Sequence, residues 1–130
     1  MQPDPGAPAP LRVVLVDADD RVRESLTRLL CIGDRIEVVG SASGAEPALE
    51  VVRATDPDIV VLDPRLPGVD EGVALIRGVR AVSPRSRVLL LSGSDGTCAP
   101  DATELADGIV RKTFRATELL SAILGPPLLT

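Results

Sequence analysis

Three runs of four aliphatic residues, each without a polar break, limit what this chain can fold into. They are Val13 to Val16, Ile59 to Leu62 and Val88 to Leu91. Runs this short and this rich in Val and Ile suit strands covered on both faces, as in a parallel sheet. Each run ends in a polar group: Asp17, Asp63 and Ser92. The middle run is the most telling. Pro57 precedes it, and Asp63 is followed by Pro64, Pro67 and Gly68, which force a tight, irregular loop. A carboxylate at the carboxyl end of a central parallel strand lies where ligands gather in open α/β sheets. The plainer alternative is that Asp63 only caps the strand or turns the loop.

Helical patterns separate the strands. Asp19 or Asp20 caps a helix running to about Cys31, with Val22, Leu26, Leu29 and Leu30 on one face and Gly33 closing it. Residues 35–41 read as a second strand and 43–55 as a second helix, with Pro47 near its start and Ala45, Ala48, Leu49 and Val52 inward. Asp70 is expected to cap a third helix, whose Val73, Ile76 and Val79 recur at helical spacing before Ser83-Pro84 ends it. Residues 87–92 form the fourth strand. Residues 93–107 permit at most a short helix over 100–106. A short fifth strand at 108–111 leads to Lys112, and a helix over 117–124 turns Leu119, Leu120 and Ile123 inward.

The expected organisation is a disordered proline-rich tail at 1–10, one α/β domain at 11–124, and a tail or linker at 125–130. Five strands then alternate with five helices. Right-handed crossovers put helices on both faces of a five-stranded parallel sheet. Asp17, Asp63 and Ser92 converge at one edge, with Lys112 following the fifth strand. This convergence is more specific than any one residue and favours a functional Asp63.

Composition removes several classes of function. There is no histidine, hence no imidazole base, Ser-His-Asp triad or His metal ligand. Phe114 is the only aromatic residue, so stacking platforms for bases or a flavin are lacking. A net charge of −5 argues against nucleic-acid binding by this domain. No apolar run approaches a membrane span, and no signal peptide is visible, so a cytoplasmic location is expected. Cys31 and Cys98 lack a CxxC spacing and read as free thiols, Cys31 buried near a helix end and Cys98 more exposed. A GxxxxGK[ST] loop is absent, and the Ser/Gly-rich segment SGSDGT follows the fourth strand rather than the first. Lys112 is the single lysine, which makes it conspicuous, although a bias toward arginine explains it equally well.

The pieces RVVLVDADDRVRESL, PDIVVLDPRLPGVD, RVLLLSG and ADGIVRKT, in this order, resemble the receiver domain of two-component response regulators. The likeness spans about residues 11–124, and GSASGAEPALEVVRATDPD with VSPRSRVLLLSG is similar to the NarL/FixJ subfamily. It implies a flavodoxin-like (βα)5 fold with strand order 2-1-3-4-5. It implies that Asp63 accepts a phosphoryl group from a phosphohistidine on a sensor histidine kinase. Lys112 matches the lysine that pairs with acceptor and phosphate, and Ser92 the hydroxyl that moves to the phosphate. Asp17, Asp63 and the backbone carbonyl of Arg65 match Mg²⁺ ligands. Such a domain is a signalling module rather than an enzyme. Members of this subfamily normally carry a DNA-binding domain beyond the receiver, so regulation of transcription is implied only where such a domain is joined to it. A two-fold dimer through the first and last helices is also implied.

The sequence departs from the family at several points. The family's acidic pair reads Asp17-Ala18 here, and a methyl offers Mg²⁺ no oxygen ligand. Asp19 is expected to cap the first helix; the alternatives are that it swings in as a replacement ligand or that water fills the position. Pro64 stiffens the loop bearing Arg65, whose side chain is either solvated or a substitute cation. Ile109 replaces the family's aromatic switch residue, and the segment between Ser92 and Gly108 is short, so the fourth helix should be short or partly unwound. Two readings stay open: a conventional receiver phosphorylated on Asp63, and an atypical one with weakened or absent Mg²⁺-dependent phosphorylation.

Overall fold

The structure, a computed structural model, describes residues 9–32, 35–63, 69–92, 105–111 and 123. Strands β1 (Leu11–Val16), β2 (Ile36–Ala42), β3 (Ile59–Leu62), β4 (Arg87–Ser92) and β5 (Gly108–Arg111) form one sheet. Its order is β2-β1-β3-β4-β5, every pair parallel. This is the flavodoxin-like order expected above. Helices α1 (Asp20–Leu30), α2 (Ala45–Thr55) and α3 (Val69–Val82) supply the crossovers among the described residues.

The all-apolar strands are covered on both sides, as their composition demands. On one face Val14, Val16, Val60, Leu62, Val88 and Leu90 pack against Ala48 and Val52 of α2 and Leu75, Ile76 and Val79 of α3. On the other, Val13, Leu15, Ile59, Val61, Leu89 and Leu91 meet Leu26 and Leu30 of α1 together with Ile123. Alternate residues of one strand thus serve two cores, the outcome of a two-residue side-chain period. Burying a Leu or Ile fully contributes about 1.5–3 kcal/mol. Any polar substitution in β3 would therefore injure a core.

β2 departs from regular pairing. Val13 lies opposite Val38 but Val14 lies opposite Gly40, so Val39 is an extra residue. Val39 packs into the α2 side, and a Cβ on Gly40 would run into Val51 of α2 on the same side. The bulge therefore turns two successive residues toward α2, and only a glycine lets the helix lie so close. Beyond the bulge Ala42 pairs with Val16, and the Ala42 carbonyl accepts from the Asp17 amide at 3.1 Å.

At the opposite edge, a polar network joins the strand entrances to the helix ends. The Arg12 amide donates to Asp58 Oδ2 at 2.8 Å, and the Arg12 guanidinium donates to the carbonyl of Thr55 at 2.5 Å. Arg85 donates to both Asp56 Oδ2 at 3.0 Å and Asp58 Oδ1 at 2.9 Å. Buried Ser83 and Ser86 complete the network, Ser83 bonding Asp56 Oδ1 and Ser86 bonding the Pro57 carbonyl, each at 2.6 Å. Asp56 ends α2 with φ of 43°, a left-handed conformation more usual for Gly or Asn. Hydrogen bonds from Ser83 and Arg85 hold its carboxyl below the usual carboxylate range. The Arg12 amide does the same for Asp58.

Some expectations need correction. α3 starts at Val69, so Asp70 lies in its first turn and does not cap it. The helix dipole favours an acid at either position, so the residue type alone could not separate the two. β2 runs 36–42 rather than 35–41, and α2 begins at Ala45 with Gly44 as its cap. Cys31 is exposed, not buried. It is the C-cap of α1, just past the inward-facing Leu26 and Leu30, and the helical turn carries it away from the core. Gly33, Cys98, the loop at 64–68 with Pro64 and Arg65, Lys112, most of the fourth and last helices, and all but Ala9 and Pro10 of the two tails lie outside the described residues.

Candidate functional site

The candidate site is built by strand register. β1 and β3 pair with Val16 opposite Leu62, so the next residues, Asp17 and Asp63, leave the sheet side by side. The Asp63 amide donates to the Val16 carbonyl at 3.0 Å, extending the ladder to the exit point. β4 ends at Ser92, one strand further on and at the same edge. Ser92 pairs with Arg111, the last residue of β5, and Lys112 comes next in the chain. The backbone thus brings the ends carrying Asp17, Asp63 and Ser92 to one edge, as the sequence led one to expect.

Asp17 is 3% exposed and Asp63 is half-buried. Asp17 Oδ1 accepts from the Asp19 amide at 2.9 Å, which closes the turn out of β1. Ala18 is exposed and contributes only a methyl group. Asp19 is the N-cap of α1, with φ −88° and ψ 117°. Its Oδ1 accepts from the amides of Arg21 at 2.8 Å and Val22 at 3.4 Å. Such a cap contributes about 0.5–2 kcal/mol, so the carboxylate has a structural occupation of its own. Asp20 is paired with Arg23 one turn along the helix.

Arg23 was not singled out from the sequence. Its guanidinium donates to the main-chain carbonyl of Asp17 at 2.5 Å as well as to Asp20, and its side chain is only 17% exposed. The available signal was its position, one turn into a helix that starts directly after the acidic cluster. Arg23 also borders an open polar groove with Thr27, Arg28 and Ser41.

The donor chemistry can be weighed against a divalent cation. Asp17 and Asp63 offer hard carboxylate oxygens of the kind Mg²⁺ prefers. Among the described residues, no group of three or more acids, Cys or His stands close enough to hold a metal. Among the described residues, these two carboxylates fit Mg²⁺ in kind.

Residues 13–124 match the response regulator receiver domain family. The chain belongs to that family. Receivers are signalling domains that generally bind Mg²⁺ at an acidic site and interact with histidine kinases. Two comparisons concern NarL of Mycobacterium tuberculosis. The chain is 34% identical over 119 residues to the "Probable transcriptional regulatory protein NarL" of strain H37Rv, covering 90% of this chain and 55% of that protein. The solved signal receiver domain of NarL from the same species superposes with a TM-score of 0.78 at 34% identity, covering 90% of this chain and 95% of that one. The receiver here therefore spans about half the length of that curated relative. A third likeness, at 25% identity and a TM-score of 0.75, is to a crystal structure of the P1 domain of CheA3 in complex with CheY6 from R. sphaeroides; it covers 90% of this chain and 96% of that one. Ile109 is 44% exposed on the edge strand β5. No helix among the described residues is long and apolar enough to cross a membrane.

Proposed function

We propose that this receiver carries its phosphoacceptor position at Asp63 and that its Mg²⁺-dependent phosphorylation is weakened or absent. The observation that carries the reading is the occupation of the two nearest acids. Asp19 caps α1 and Asp20 is drawn to Arg23, so neither is placed to replace the carboxylate missing at Ala18. Asp17 and Asp63 would hold the cation, with the carbonyl of Arg65 as a further ligand by resemblance. When bound, Mg²⁺ neutralises charge on the phosphoryl oxygens.

The reaction is a transfer from phosphohistidine. An Asp63 carboxylate oxygen forms the new P–O bond while the P–N bond of the donor breaks, and the departing imidazole takes up a proton. Lys112 would pair with the phosphorylated acceptor, and the Ser92 hydroxyl would bond a phosphoryl oxygen. The added charge of about −1.5 to −2 is what would re-order that edge. The exposed Ile109 has no ring to turn inward, so the response is expected to travel less through β5 than in receivers with an aromatic there. The domain acts in the cytoplasm, receives its signal from a sensor kinase or another regulatory protein, and regulates transcription if joined to a DNA-binding domain. Dimerisation through the first and last helices is part of the same reading. By sequence, 1–10 reads as a tail and 125–130 as a tail or the start of a linker.

The conventional reading, full phosphorylation of Asp63, draws support from the buried Asp17 beside it. Intact mass after incubation with Mg²⁺ and a small phosphodonor separates the two. A stoichiometric gain that disappears in Asp63→Asn establishes the conventional receiver; little or no gain at the same Mg²⁺ supports the weakened one.

A further inference from the structure

We infer that Arg23 is a positioning residue for the acidic site, setting where the Asp17 carboxylate points; this rests on the reading of Asp17 and Asp63 as a receiver pocket. Asp17 is buried and sits in a three-residue turn between β1 and α1, where regular pairing has ended. Its amide is fixed by Ala42 of β2 and its carboxylate by the Asp19 amide. The remaining main-chain group is its carbonyl, and Arg23 donates to it from α1 at 2.5 Å. The other arm of the guanidinium is anchored on Asp20, and the side chain is mostly buried. A planar guanidinium can hold two acceptors in one fixed geometry, which an ammonium cannot do.

The strap closes a small circuit. Asp19 caps α1, the Arg23 amide donates to the Asp19 carbonyl at 3.1 Å, and the Arg23 side chain returns to Asp17. Peptide planarity couples the carbonyl of Asp17 to the plane that carries Ala18. Rotation of that plane would redirect the chain at Ala18 and lengthen the bond from the Asp19 amide to Asp17 Oδ1, removing that hold on the carboxylate. With Ala18 contributing nothing, a misdirected Asp17 takes the second carboxylate out of the metal site. The predicted consequence runs opposite to simple electrostatics. Removing a cation near the pocket should by charge alone tighten Mg²⁺ binding. Removing a positioning group should weaken it.

The test is amide hydrogen exchange and Mg²⁺ titration by NMR on the whole chain, comparing wild type, Arg23→Met and Arg23→Lys. In Arg23→Met the Asp19 amide is expected to exchange about tenfold faster, while Val14 and Leu90 in the core strands keep wild-type rates. Arg23→Lys should restore part of the protection. The Mg²⁺ midpoint followed at the Asp63 amide should rise severalfold. Unchanged Asp19 exchange in Arg23→Met overturns the inference, as does tighter Mg²⁺ binding. Accelerated exchange at Val14 and Leu90 equal to that at Asp19 also overturns it, since Arg23 would then serve only global stability. A wild type that shows no Mg²⁺ response rejects metal use by the pocket, and the exchange comparison still decides the role of Arg23.

Discussion

Gly40→Ala should destabilise the domain, although alanine is the better residue for a folded chain in the abstract. Replacing a glycine in a strand ordinarily gains about 0.5–1 kcal/mol by restricting the unfolded chain. Here the new methyl would lie far inside contact distance of Val51 Cγ1, and the obstacle is a β-branched side chain on α2 that cannot swing aside easily. Forcing a methyl into such a site costs about 1–3 kcal/mol, so the net loss is up to about 2.5 kcal/mol and about 1 kcal/mol at mid-range. Val51→Ala removes the obstacle and costs about 1–2 kcal/mol alone, because the side chain is only partly buried. The double variant should then be no less stable than Val51→Ala, giving a coupling of about 1 kcal/mol or more. Urea unfolding followed by far-ultraviolet circular dichroism is the appropriate assay, since the chain has no Trp or Tyr to report by fluorescence. A Gly40→Ala variant as stable as wild type, or strictly additive costs in the double variant, would refute the bulge-to-helix contact.

Other predictions follow from hydrogen bonds and charge. Asp56 and Asp58 have carboxyls held below their ordinary value of 3.8 by Ser83, Arg85 and Arg12. The unfolded chain therefore binds more protons as pH falls through that range, and the stability these groups contribute is present above it and lost below it. The urea midpoint of wild type should consequently drop more steeply between pH 5 and pH 3, a window taken as roughly one unit either side of the ordinary carboxylate value, than that of Asp56→Asn/Asp58→Asn; parallel curves would contradict this. Asp19→Ala should lose about 0.5–2 kcal/mol by urea unfolding, whereas Asp19→Asn, which still caps, should stay near wild type in both stability and Mg²⁺ midpoint. A large loss of Mg²⁺ binding in Asp19→Asn would instead make Asp19 a ligand.

Much of the fold was legible because its strands are short, wholly apolar and bounded by breakers. β4 and β5 were expected at 87–92 and 108–111 and are found there. The acidic edge was legible for the same reason, since the polar residue ending each run must lie at the sheet's carboxyl edge once the strands are parallel. The bulge in β2 was not. Val38 and Val39 are adjacent and both apolar, so alternation could not show that Val38 serves one core and Val39 the other. Cys31 was misplaced because helical turn, not nearness to Leu30, decides which face a residue takes. The Arg12–Asp58–Arg85 network joins residues 27 to 46 positions apart, and no local pattern announces it. Arg23 was overlooked because its decisive partner is a main-chain carbonyl, which every residue possesses.

What most needs testing is the proposal that Ala18 weakens Mg²⁺ binding at the acidic site. The most direct measurement is a Mg²⁺ titration followed at the Asp63 amide in wild type and in Ala18→Asp. A restored carboxylate beside Asp17 and Asp63 should tighten binding by about tenfold or more, as expected for an added charged ligand. Equal affinity in the two proteins would contradict the proposal, because position 18 would then not limit the site.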